Sequence, residues 1–168
     1  MLTLAVAATT LAVFAAPAAV PAASTEVLAY TRYSTNGGAI TLGGVGGAKG
    51  RTLTPRSLAA SDAAWSPDSK WIAAVGNRDW TRGVLNQPSV WRMRVRDGVA
   101  EDLIGESDLE AAAGVNSDLV GAAVGRPKWL TGGRWLMFAA PVEGSMELWR
   151  VEIDGGRLER MTGARHFL

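Results

Sequence analysis

Few residues in this chain have the types and spacing to do chemistry. It holds one histidine, His166, and no cysteine, which excludes a thiolate nucleophile and a Cys/His zinc site. An acyl-transfer serine sits on a sharp strand-to-helix turn, usually G-x-S-x-G. That pentapeptide is absent: Gly105-Glu106-Ser107-Asp108-Leu109 lacks the last glycine, and Gly144-Ser145-Met146 has the wrong frame. Without such a serine, His166 reads as a loop residue and not as a triad base. Gly43-Gly44-Val45-Gly46-Gly47 is glycine-rich, but no Lys-Ser/Thr follows at phosphate-loop spacing. The acidic residues are scattered, with no calcium-loop spacing. A formal net charge of +1 does not supply the basic face of a nucleic-acid binder. The chain by itself reads as non-catalytic and without a cofactor.

What remains is chemistry of contact. Trp80 lies in the polar stretch Asn77-Arg78-Asp79-Trp80-Thr81-Arg82-Gly83, on a loop leaving an apolar run. Scaffold loops are where ligands are met. Arg78, Asp79, Trp80 and Arg82 are therefore the candidate contact surface, for a peptide, a protein or a neighbouring domain. The other six of the seven tryptophans pair at fixed offsets. Trp65 and Trp129 are 64 residues apart, as are Trp71 and Trp135, and Trp91 and Trp149 are 58 apart. A sugar or quinone platform is one use for such residues. Their regular spacing favours packing between repeated units.

The repeat can be written without gaps. Asp62–Val75 (DAAWSPDSKWIAAV) aligns with Arg126–Ala139 (RPKWLTGGRWLMFA), and Val90–Ile104 (VWRMRVRDGVAEDLI) with Leu148–Thr162 (LWRVEIDGGRLERMT). A degenerate copy, Ile40–Thr54 (ITLGGVGGAKGRTLT), matches at Ile40/Leu148, Gly47/Gly155 and Thr54/Thr162.

Each copy reads as strands. Trp91, Met93 and Val95 alternate with Arg92, Arg94 and Arg96, and Trp149, Val151 and Ile153 with Arg150, Glu152 and Asp154. Period two predicts half-buried antiparallel strands with one wet face. Trp71–Val75 and Trp135–Ala139 are unbroken apolar runs, which predict strands buried on both faces. Ser66-Pro67-Asp68-Ser69 and Thr131-Gly132-Gly133 are turn chemistry. Arg96-Asp97-Gly98 and Asp154-Gly155-Gly156 are hairpin signals. Ser107 and Glu110 have capping-box spacing, which predicts a short helix over Ser107–Ala113. Four antiparallel strands in roughly 45 residues make a propeller blade.

WSPDSKWIAAV followed by VWRMRVRDG resembles the β-propeller repeats of TolB-like proteins. The same repeats form the N-terminal propeller of prolyl oligopeptidase-type serine peptidases, including the acylaminoacyl-peptidase branch. Ser69 stands where those repeats usually carry Gly, and Leu130-Thr131-Gly132-Gly133 replaces the Ser-Pro-Asp-Gly turn in the last copy. Gly114–Gly121, around Ser117-Asp118-Leu119, is similar to an inter-blade segment of acylaminoacyl-peptidase propellers. The resemblance implies one of two functions. One is the gating propeller of an exported serine peptidase, whose hydrolase domain lies outside this chain. The other is a TolB-like protein-binding scaffold with no catalytic domain.

The expected fold is all-β, a partial propeller of about three four-stranded antiparallel blades. They fall near 27–58, 59–106 and 126–168, with 107–125 as an inter-blade insertion. No WSPD-type strand precedes the first copy. Met1–Ala23 is apolar and uncharged, with small-residue sites at Ala16-Pro17-Ala18 and Val20-Pro21-Ala22. It reads as a secretory signal peptide, although no Lys or Arg precedes the apolar run, and a retained anchor is the competing reading. Export to the periplasm or cell exterior follows from the leader, with no membrane contact after cleavage. Closed propellers need four to eight blades. The remaining blades are expected from the rest of a longer parent chain or from another copy.

Overall fold

A computed structural model describes residues 27–35, 37–44, 50–78, 87–111 and 126–163. The expected leader Met1–Ala23, the loop residues Asp79, Trp80 and Arg82, the segment Gly114–Gly121 and His166 lie outside the described residues. No described helix is long and apolar enough to cross a membrane.

Three antiparallel sheets follow one another along the chain. The first pairs β1 (Val27–Ser34), β2 (Gly37–Gly44) and β3 (Arg51–Thr52). The second holds β4 (Ala59–Trp65), β5 (Trp71–Asn77), β6 (Ser89–Arg94) and β7 (Ala100–Asp102). The third holds β8 (Lys128–Trp129), β9 (Trp135–Val142), β10 (Ser145–Glu152) and β11 (Leu158–Arg160). Each sheet is a meander in which every strand pairs with its chain neighbour. We call the sheets blades 1 to 3 and the first strand of a four-stranded blade its inner strand.

The sequence repeat is also a repeat of backbone hydrogen bonds. Leu53, Leu103 and Met161 each donate N–H to the carbonyl thirteen residues back, on Ile40, Val90 and Leu148. Ser66 N–H to Trp71 O in blade 2 recurs as Leu130 N–H to Trp135 O in blade 3, both at 2.9 Å. The hairpin glycines Gly98 and Gly156 have φ of +77° and +64°. Their N–H groups close onto Arg94 O and Glu152 O. Thr54 and Thr162, matched in the alignment, both cap a strand: Ile40 N–H and Leu148 N–H donate to their Oγ1 atoms at 2.6 and 2.9 Å.

The Ser66-Pro67-Asp68-Ser69 turn holds itself together. Ser66 Oγ donates to Asp68 Oδ1 at 2.7 Å and accepts from Trp71 N–H at 3.0 Å. Asp68 also accepts from Lys70 N–H. These bonds, first the one from Ser66, hold the Asp68 carboxyl below its usual range.

Two apolar clusters join the blades. Ile40 and Leu42 of blade 1 meet Ile72, Ala74, Trp91 and Met93 of blade 2. Ala73, Val75 and Val90 on the other side of blade 2 meet Leu136, Phe138, Ala140 and Val151 of blade 3. β5 thus lies between two neighbours, as its unbroken apolar run predicts, and Ile72, Ala73 and Ala74 are fully buried.

Blade 1 has three strands among the described residues, in keeping with the missing WSPD-type strand of the first copy. Three expectations change. β9 is buried on alternate residues only, since Trp135, Met137 and Ala139 face away from blade 2 and are half-buried. The arginine face of β6 is not fully wet: the Arg92 side chain is 13% exposed, because it lies on Trp71 and is shielded by blade 3. Ser107–Ala111 forms bends and a turn, not a helix. Ser107 Oγ donates to Ile104 O and accepts from Leu109 N–H, so the side chain closes a local turn.

Candidate interaction surface

A repeated polar ladder marks the seam between blades. In blade 2 the Arg92 guanidinium lies 4.4 Å from the Trp71 ring centroid and bonds Glu101 at 2.6 Å. In blade 3 Arg150 lies 4.3 Å from Trp135 and bonds Glu159 at 2.7 Å. The register explains it. Trp71 faces Arg94 across the β5–β6 pair, Arg92 is two residues along on the same face, and Glu101 is directly opposite Arg92 on β7. Arg92 also reaches Asp154 of blade 3 at 3.3 Å. The ladder therefore both stiffens its blade and joins it to the next.

At the rim, a groove of ~730 Å³ is lined by Arg78, Glu101, Asp102, Glu106, Ser107 and Leu158 among others. β5 delivers Arg78 just beyond its last residue, and the Arg78 guanidinium lies 5.0 Å from the Trp91 ring centroid. Asp102 is held by the Ser89 hydroxyl and by Ile104 N–H at 3.3 Å. Among the described lining residues, Arg78 thus faces a mainly acidic wall. That arrangement can orient an extended polar segment through charge and backbone hydrogen bonds. Among the described residues no group of three His, Cys, Asp or Glu side chains could hold a metal.

Of the four contact residues read from the sequence, Arg78 lines this groove. Asp79, Trp80 and Arg82 lie outside the described residues. The reading missed Glu101, Asp102 and Glu106. A signal was available, because Glu101 follows Arg92 and Glu159 follows Arg150 by the same nine positions.

Three successive meanders sharing one pattern of hydrogen bonds define a partial β-propeller of TolB-like blades. Comparison with solved structures agrees. A candidate TolB from Agrobacterium tumefaciens superposes with a TM-score of 0.62 at 26% identity, over 82% of this chain and 43% of that one. TolB from Acinetobacter baumannii gives 0.61 at 19% identity, over 86% of this chain and 32% of that one. A puromycin-hydrolyzing peptidase from Mycobacterium tuberculosis gives 0.51 at 14% identity, over 82% of this chain and 24% of that one, a likeness of fold alone. An uncharacterized protein of Agrobacterium fabrum, Atu1656, is 29% identical over 102 residues, or 61% of this chain and 28% of that protein. The chain therefore spans less than half the length of these relatives. No protein-family model matches it.

Proposed function

We propose that this chain is the propeller scaffold of an exported TolB-like protein, and that it works by holding a peptide or protein at its blade rim. The observation that carries the reading is the ~730 Å³ groove with Arg78 against Glu101, Asp102 and Glu106. Arg78 lines the groove, and Asp79, Trp80 and Arg82, which follow it in the sequence, are the further contact residues of the proposal. A photo-crosslinking residue at position 78 captures a protein partner in cells, and one at Val99, exposed on the β6–β7 turn, does not. Arg78→Glu combined with Trp80→Ala lowers affinity for the captured partner at least tenfold, a loss of about 1.4 kcal/mol or more. Unchanged affinity removes this surface from the function. Export rests on Met1–Ala23 acting as a cleaved leader. The mass of the protein recovered outside the cytoplasm reports that directly.

The likeness to the mycobacterial peptidase supports a second reading, in which these blades cap a hydrolase domain and restrict its access to small peptides. A G-x-S-x-G in the reading frame after Leu168, with peptidase activity of the intact protein, would select it. A stop codon directly after Leu168 would remove it.

A further inference from the structure

The chain has two Asp-Gly pairs, Asp97-Gly98 and Asp154-Gly155. They share a chemistry but not a surrounding. In such a pair the glycine nitrogen can attack the aspartate side-chain carbon and close a succinimide ring. Glycine favours the step because it has no side chain to block the approach and its backbone turns freely. The step needs a carboxyl free to rotate, a peptide nitrogen not already committed, and room for the backbone to move.

Asp97-Gly98 meets none of these needs. The Asp97 carboxylate accepts from Arg94 Nε at 2.9 Å, from Arg96 Nε at 3.2 Å and from Val99 N–H at 3.2 Å. These bonds, first the one from Arg94, keep it ionised into acid, and a carboxylate is a poor electrophile. Gly98 N–H donates to Arg94 O at 2.8 Å. A Cβ on Gly98 would lie 2.7 Å from Leu53 O of blade 1, so the peptide is packed against a neighbouring blade. Asp68-Ser69, another pair prone to the reaction, is closed in the same way. Asp68 accepts from Ser66 Oγ and Lys70 N–H, and Ser69 N–H donates to Ser66 O at 3.0 Å.

Asp154-Gly155 meets all three. The Asp154 side chain is 94% exposed, and its one described ion pair is with Arg92 Nη1 at 3.3 Å. Arg92 is held more closely by Glu101, at 2.6 Å, so Asp154 is the more distant of two carboxylates on one guanidinium. Among the described backbone hydrogen bonds, none starts at Gly155 N–H. Gly156 follows with φ of +64°, and a Cβ there would meet nothing within 4 Å. Residues 154–157 are all exposed. The turn thus presents a free carboxyl and two successive glycines to solvent.

We infer that Asp154-Gly155 is a site of spontaneous isoaspartate formation, and that the modification cuts the ion pair joining blade 3 to Arg92. The Gly155 nitrogen bonds to Asp154 Cγ, and its proton leaves with the carboxyl hydroxyl as water. Water then adds to the α-carbonyl carbon of the ring, and the bond from that carbon to nitrogen breaks. The backbone now runs through Cβ and Cγ, and the free carboxylate sits on Cα. One water leaves and one enters, so the mass is unchanged. The turn grows by one backbone carbon, and the carboxylate's reach shrinks by one carbon. Arg92 and Asp154 both wall the ~240 Å³ space between blades 2 and 3, so withdrawing the carboxylate opens that seam.

The test incubates the folded chain at neutral pH and physiological temperature. Peptide mapping with electron-transfer fragmentation measures isoaspartate at each position, and the same chain unfolded in guanidinium chloride is the reference. The expected result is similar conversion at positions 97 and 154 in the unfolded chain. In the folded chain, conversion at 154 is at least tenfold faster than at 97. Asp154→Glu, which keeps a carboxylate but would need a larger ring, removes the signal at 154. Conversion lowers the denaturant midpoint of the native chain, and lowers it less in Arg92→Gln, where the ion pair is already gone. The inference is overturned if positions 97 and 154 convert alike in the folded chain, or if the signal survives Asp154→Glu. Equal lowering of the midpoint in both backgrounds also overturns it, because the modification would then act without the seam.

Discussion

Among the described residues, blade 2 is covered on both faces, whereas blades 1 and 3 are each covered on one, and the repeat lets matched residues be compared directly. Ile72 and Leu136 occupy one repeat position and are both 0% exposed, while Leu28 at that position in blade 1 is 53% exposed. On the other face, Ile40 and Val90 are 0% exposed and Leu148, their counterpart, is 39% exposed. The residue types are alike and only the neighbour differs. A blade's sequence therefore specifies two apolar faces whether or not both are covered, and burial of a face comes from the adjoining blade. Exposed apolar surface at both ends of a stack of blades is the signature of surfaces that await a neighbour.

The largest expected effect tests that contrast. Leu136→Ala empties a site enclosed by blades 2 and 3 and should cost about 2–5 kcal/mol, the range for buried leucine truncations. Leu28→Ala removes the same group from a half-open face and should cost under about 1 kcal/mol, as surface changes do. Urea denaturation of the two variants measures both. Equal losses would break the comparison, because they would mean that the outer face of blade 1 is covered in solution.

A smaller contrast lies in the ladders. Arg92 has Trp71, Glu101 and Asp154 as partners and a side chain 13% exposed, whereas Arg150 has Trp135 and Glu159 and is 35% exposed. Arg92→Ala should cost about 1.5–3 kcal/mol, the range for hydrogen bonds to charged groups. Solvent screening holds Arg150→Ala to about 1 kcal/mol or less. A double-mutant cycle of Arg92→Ala with Asp154→Asn measures the part that crosses the blade seam. Zero coupling would leave the ladder as an element internal to each blade.

The strands and hairpins were legible because period-two alternation and Asp-Gly turns are local consequences of backbone geometry. The repeat added what local signals cannot, the equivalence of Trp65 with Trp129 and of Ile40 with Leu148. Burial was only half legible. Trp71–Val75 and Trp135–Ala139 read alike, yet β9 is covered on one face because burial depends on a surface outside the strand. The Ser107 capping-box pattern misled for a related reason. Hydroxyl groups also close turns, and Ser107 bonds back to Ile104 O without a following apolar stripe to pack a helix. The repeated nine-residue Arg-to-Glu spacing marked Glu101, but Asp102 and Glu106 were missed because nothing along the chain shows that the end of β5 and the turn after β7 share a groove.

Ser69 offers a finer comparison between the inner turns of blades 2 and 3. Ser69 has φ of +58° where its counterpart Gly133 has +70°. Left-handed backbone costs a side-chain-bearing residue roughly 1–2 kcal/mol, while glycine adopts it freely but is more disordered when unfolded. Ser69→Gly should stabilise by about 0.5–1 kcal/mol once that entropy is deducted. Gly133→Ser should lose a similar amount. A destabilised Ser69→Gly variant would show that the serine hydroxyl contributes more than its backbone strain costs.

The smallest expected effect concerns acid, and it separates the hairpin of blade 2 from that of blade 3. Asp97 accepts from Arg94 Nε at 2.9 Å, from Arg96 Nε at 3.2 Å and from Val99 N–H at 3.2 Å. In blade 3 the matching residue is Gly155, so that turn has no equivalent carboxylate. The hydrogen bond from Arg94, ahead of the smaller contributions, lowers the Asp97 carboxyl from 3.8 to about 2 in the folded chain. The unfolded chain thus binds this proton more tightly than the folded one as pH drops below 3.8. The contribution of Asp97 to stability is therefore present in full above that value and lost as pH falls through about 2. Asp97→Asn should flatten the decline in stability between those limits while changing little at neutral pH, where the site is exposed and screened. Denaturation midpoints measured across that acid window, for the native chain and the variant, check the slope. Identical slopes would place the acid sensitivity elsewhere in the chain.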